Sequence, residues 1–107
     1  MNDITSFADW QQQAAEQEAL LLFVKADHCS VCDGLYPQVA ELEDRYSFPF
    51  AAANVSAVPE MAGQLSLFSA PVVLLFSKGR EFARFARFVP MESLKKRLDE
   101  LEGMVCG

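Results

Sequence analysis

The chain has few cysteines, one histidine and no long apolar run, and each shortage removes a class of protein. Three cysteines among 107 residues form an odd, sparse set. A small secreted scaffold stapled by disulfides needs a denser, even set. The longest apolar runs, Ala19–Val24 and Ala70–Phe76, fall far below the roughly 20 residues of a membrane-spanning helix. The opening "MNDITSFADW" carries acids where a secretory signal carries a basic region and an apolar stretch. Positive charge is also scarce. Nine Lys and Arg against fifteen Asp and Glu give a formal net charge of −6, which disfavours nonspecific binding to nucleic acid or anionic membrane. No Pro-rich, Gly/Ser-rich or low-complexity segment divides the chain, and no long repeat is visible. The expectation is one complete cytosolic domain over residues 1–107, with no membrane or nucleic-acid partner. Nothing in the sequence indicates its oligomeric state.

What is present is core material. Half the residues are apolar and nine are Phe, enough for a domain of this length to bury a core without staples. Phe7, Trp10 and Ala14 share one face of a helix expected over Ile4–Glu18. "ALLLFVK" (Ala19–Lys25) reads as a strand buried on both faces. Leu35, Val39, Leu42 and Tyr46 recur at helical spacing, so a second helix is expected from about Cys29 to Tyr46, kinked at Pro37. "FAAANV" (Phe50–Val55) is a weak strand candidate, and "VPEMAGQLSL" a short helix with Pro59 near its start. Pro71 opens a strong apolar strand, Lys78-Gly79 supplies a turn, and a second strand returns. Pro90 precedes a terminal helix with Met91, Leu94, Leu98 and Leu101 on one face. The order α-β-α-β-α-β-β-α predicts an α/β fold with a central mixed sheet of about four strands. "FARFARF" (Phe82–Phe88) repeats every three residues, which fits neither strand nor helix. Its arginines suggest a charge-protected edge strand; a nucleic-acid surface is the alternative.

The chemistry concentrates in "HCSVC", residues 28–32. A CxxC at the strand-to-helix junction of a βαβ unit reads as a redox pair. Inert thiols are one alternative. A metal site from His28, Cys29, Cys32 and Cys106 is another, although no second CxxC exists and adjacent His28 and Cys29 are awkward to aim at one ion. Thiol–disulfide exchange needs a thiolate, and a cysteine at its ordinary pKa is only roughly 3% ionised at neutral pH. The open N–H groups of a helix N-terminus can supply the roughly 2 kcal/mol that half-ionises it. Cys29, first and more exposed, is then the attacking sulfur, and Cys32 one turn inward resolves. His28 can serve as a cation or a proton shuttle near neutral pH and Lys25 can add positive field, opposed by Asp27 and Asp33. Cys106 stands in "EGMVCG", expected past the last helix as a tail thiol; a regulatory or intermolecular disulfide is the alternative.

Over nearly its whole length the chain resembles the thioredoxin superfamily. Cys29-Ser30-Val31-Cys32 follows a buried strand, Pro37 stands five residues after Cys32 where the family kinks that helix, and Ala70-Pro71 opens the next-to-last strand where the family has a cis-proline. "LLFSKGRE" matches the hairpin and "SLKKRLDEL" the last helix. The resemblance implies a thiol–disulfide oxidoreductase acting on protein disulfides, recycled by a reductase, with no bound cofactor or metal. It implies that Ala70, Pro71 and His28 face the substrate. A binding module with incidental redox activity is the alternative. The departures are specific. Phe23 stands where the family has a buried acid, His28 replaces a Trp, Asp33 replaces a basic residue, and alanine in "FAAANV" replaces a lysine. The pattern is that of a divergent thioredoxin-like protein.

Overall fold

The computed structural model describes residues 1–106, the side chain of Cys106 excepted. Its elements are β1 (Asn2–Ile4), α1 (Phe7–Glu16), β2 (Ala19–Lys25), α2 (Ser30–Ala40), a 3₁₀ turn (Glu43–Arg45), β3 (Phe50–Asn54), α3 (Pro59–Gln64), β4 (Val72–Ser77), β5 (Arg80–Ala86) and α4 (Met91–Cys106). The sheet order is β1-β3-β2-β4-β5. β3 lies parallel to both β1 and β2, while β4 runs antiparallel to β2 and β5.

Strand alternation sends successive side chains to opposite faces, and the fold covers both. Leu21 and Phe23 of β2 join Phe50, Ala52, Val73 and Leu75 with residues of α2 and α4. Leu20, Leu22 and Val24 meet Trp10 of α1 and Met61 of α3 on the other side. Burial on both faces explains why β2 reads as an unbroken apolar run.

Four boundaries differ from the sequence reading. The sheet has five strands, because Asn2–Ile4 pairs with Ala51–Ala53 of β3. α1 accordingly starts at Phe7. Ser6 caps it by accepting the Asp9 N–H at 3.0 Å, and the Asp9 carboxylate reaches back to the Thr5 N–H at 3.1 Å, a reciprocal cap. α2 ends at Ala40. Beyond it the Leu42, Arg45 and Tyr46 N–H groups bond three residues back, tightening the chain into 3₁₀ geometry. The terminal helix includes the backbone through Cys106, so this cysteine does not lie past it; its side chain is outside the described residues.

The three-residue period of "FARFARF" also has a cause. A bulge shifts the β4–β5 register, so Leu75 faces Ala83 while Phe76 faces Glu81. The extra residue, Phe82, therefore stays packed on the same core as Phe85, an inversion of phase that a bulge permits. Arg87 then leaves the strand with φ +67°, and Phe88 is 78% exposed.

α4 is tied to the end of the 3₁₀ turn by Tyr46, whose hydroxyl donates to Asp99 at 2.8 Å. Burial, and then the Asp99 carboxylate, push this phenol up to about 12. The neutral form is the one the fold favours. Its contribution is complete below the ordinary value near 10 and is lost as pH rises through about 12. An ultraviolet titration should show a late phenolate step near pH 12 that Tyr46→Phe removes.

Candidate functional site

β2 ends at Lys25, and after four intervening residues the chain enters α2 at Ser30. The intervening loop is laced to β3. The Asn54 amide donates to Asp27 at 2.9 Å, the Asp27 N–H to Ser56 Oγ at 3.1 Å, and the Ser56 N–H to Asn54 Oδ1 at 2.9 Å. His28 takes the left-handed conformation, φ +58°, which histidine adopts more readily than most side chains. That turn sets Cys29 as the N-cap of α2, where its Sγ accepts the Cys32 N–H at 3.1 Å. Cys29 and Cys32 are joined as a disulfide, with Cα atoms 5.2 Å apart.

The two sulfurs have different surroundings. Cys29 is half-buried, whereas Cys32 is 1% exposed and belongs to the core. Behind Cys32 stand Phe23 and Ala52, direct partners in the β2–β3 register. Tyr36 packs edge-on against Phe23, ring centres 5.4 Å apart. The two sequence departures therefore face each other. No buried charged or polar side chain lies in this core among the described residues. A small recess of about 170 Å³ opens beside Cys32, lined by Lys25, Cys32, Asp33 and Tyr36.

The second segment of the site arrives from α3. Arg84 holds it by donating to the carbonyls of Leu65 and Ser66 at 2.7 and 2.8 Å. The Ala70–Pro71 peptide bond is cis. Ala70 packs on the same cluster as Cys29. The Pro71 carbonyl accepts the Arg87 N–H at 2.8 Å, and no partner among the described residues bonds the Ala70 backbone.

The structure thus brings Cys29, Cys32 and Ala70 to one cluster, with Pro71 beside Ala70, and leaves His28 exposed on the connecting loop. Sequence reasoning missed an apolar rim. Val31 between the cysteines is 60% exposed, Phe68 two residues before Ala70 is 89% exposed, and Phe88, next to the residue bonded to Pro71, is exposed as well. Nothing in the pattern of a lone Phe separates an exposed one from a core one. It also missed Tyr36, whose ring closes the recess. Among the described residues no three His, Cys, Asp or Glu side chains converge as a metal site, and no helix is long and apolar enough to cross a membrane.

Comparison with known proteins agrees with this geometry. The family model described as Thioredoxin matches residues 3–100. The chain is 31% identical over 99 residues to "Thioredoxin-like protein YdfQ" of Bacillus subtilis (strain 168), covering 92% of this chain and 88% of that protein. It is 29% identical over 85 residues to "Thioredoxin" of Chlorobaculum thiosulfatiphilum, covering 78% of this chain and 79% of that one. A solved Plasmodium falciparum thioredoxin superposes with a TM-score of 0.86 at 19% identity, covering 94% of this chain and 98% of that one; at that identity the likeness concerns the fold.

Proposed function

Because the chain belongs to the thioredoxin family, we propose that it acts as a single-domain thiol–disulfide oxidoreductase on protein disulfides. The observation that carries this is the asymmetric pair. Cys29 caps a helix at the surface, where the N-terminal end of α2 favours a thiolate. Cys32 sits one turn inward, beneath it. Cys29 sulfur attacks one sulfur of the substrate disulfide and releases the other as a thiol. Cys32 then attacks Cys29, closing the internal disulfide and releasing the second substrate thiol. Two electrons pass to the substrate, and a separate dithiol reductase restores the pair. Ala70 and Pro71 present backbone to an extended substrate segment, an edge that strand addition uses. Val31, Phe68 and Phe88 offer it apolar contact, and His28 flanks the entrance. The reading includes a cytosolic location, a reducing compartment in which a dithiol reductase can keep such a pair cycling.

A second reading rests on that exposed rim. A surface with Phe68 and Phe88 so open suits a protein-binding module whose disulfide is incidental.

A redox titration in dithiothreitol buffers, read by alkylation and peptide mapping, separates the two. The oxidoreductase reading expects Cys29 and Cys32 to oxidise together as one two-electron couple, with a midpoint in the range of roughly −200 to −320 mV. Separate thiols, or a pair that no dithiol buffer reduces, would leave the binding module.

A further inference from the structure

Cys32 must lose its proton before it can resolve the mixed disulfide, yet Phe23 and Ala52 close its core side with apolar surface. We propose, resting on the oxidoreductase reading, that Lys25 is the positioning residue for this step. Its ammonium, held at the recess beside Cys32, stabilises the Cys32 thiolate.

The recess places Lys25 and Cys32 in one lining, together with Asp33 and Tyr36. Lys25 Nζ lies over the Tyr36 ring, 5.7 Å from its centre. The ring face attracts the ammonium, and Tyr36 is itself braced on Phe23. Lys25 forms no ion pair among the described residues. The carboxylate of the nearest acid in sequence, Asp27, accepts from the Asn54 amide instead. Of the elements packed here, β2 contributes Lys25 and α2 contributes Asp33 and Tyr36; β3 contributes Ala52 with no charge, and β4 contributes Val73. His28 and Asp27 face solvent on the connecting loop. Asp33 is exposed and acts against Lys25. A charge beside a buried sulfur acts on it more strongly than it would between two solvated groups.

In the step itself the Cys32 proton leaves through the recess to water or hydroxide. The Cys32 thiolate forms a bond to Cys29 Sγ, and the bond from Cys29 to the substrate sulfur breaks. The substrate sulfur departs as a thiolate and takes a proton from solvent. Lys25 exchanges no proton in this sequence; it lowers the cost of the anion.

The test uses the full chain with Lys25→Met, which keeps the stem and removes the charge, and Lys25→Arg, which restores charge. Two readouts apply: the pH profile for resolution of a mixed disulfide between Cys29 and thionitrobenzoate, and the titration of Cys32 followed by ¹³C NMR of labelled cysteine. Lys25→Met should slow resolution by roughly three- to tenfold at neutral pH and move its profile toward alkaline pH by the corresponding amount. Lys25→Arg should recover most of that. Alkylation of Cys29 should change less than about twofold, because the charge acts on the inner sulfur. An unmoved profile and Cys32 titration in Lys25→Met, with the unsubstituted protein resolving normally, overturns the Lys25 assignment alone. Failure of the unsubstituted protein to resolve the mixed disulfide overturns the oxidoreductase reading and this assignment together.

Discussion

Cys32→Ser should accumulate as a covalent adduct with a disulfide-bearing substrate, joined through Cys29, while multiple turnover falls by at least ~10³-fold. The expectation follows from the division of labour between the sulfurs. Cys29 caps α2 by accepting the backbone N–H of residue 32, a bond that Cys32→Ser leaves available. Cys32 is buried, so an external thiol does not easily replace it as the group that attacks Cys29 from within. Cys29→Ser should lose turnover to a similar extent but give no adduct, because serine is not ionised at neutral pH. The contrast matters more than either loss. If Cys29→Ser still forms a tight complex with the same partner and Cys32→Ser traps nothing, recognition is independent of exchange, and the binding-module reading stands. A Cys106→Ser background removes the third thiol from the mass-spectrometric count.

Much of this site could be read from the chain, and the unread parts share one property. Local patterns carried the buried β2, the CxxC at its helix, Pro37 inside α2, and the Leu94–Leu98–Leu101 stripe. Each is a feature of neighbours in sequence. β1 was not legible, because Asn2 and Asp3 are poor strand formers and only pairing with β3 makes them one. The end of α2 was hidden because Leu42 keeps the helical spacing and is buried anyway. A 3₁₀ turn delivers it to the same core. The bulge in β5 disguised a strand by breaking its period. The recess beside Cys32 was least visible. It depends on Lys25 and Tyr36, eleven positions apart, meeting across β2 and α2.

Phe23→Asp should be the most destabilising of the substitutions considered, and its cost should depend on pH in a way that Phe23→Ala does not share. Phe23 is fully buried, packed against Tyr36 and in register with Ala52. Truncation to alanine should cost about 3–5 kcal/mol at any pH, a large share of the 5–15 kcal/mol typical of a domain. Aspartate adds a carboxyl to a site with no charged partner on β3. Burial then raises its folded pKa above the unfolded value near 4. For a raised acid the neutral form is favoured in the fold. The pH-dependent part of the extra cost is therefore small below about pH 4 and grows by up to roughly 1.4 kcal/mol per pH unit above it. It stops growing once the carboxyl ionises in the folded state. Urea melts across pH 4–8 would show the two variants diverging as pH rises. Adding Ala52→Lys places a cation directly opposite the new acid. The double variant should then be less destabilised at neutral pH than the two single changes summed, although a buried ion pair still carries its desolvation cost. Parallel pH profiles for Phe23→Asp and Phe23→Ala would mean that water or Lys25 reaches the carboxylate. The core behind Cys32 would then be open to the very charge that the native pairing of Phe23 with Ala52 keeps out.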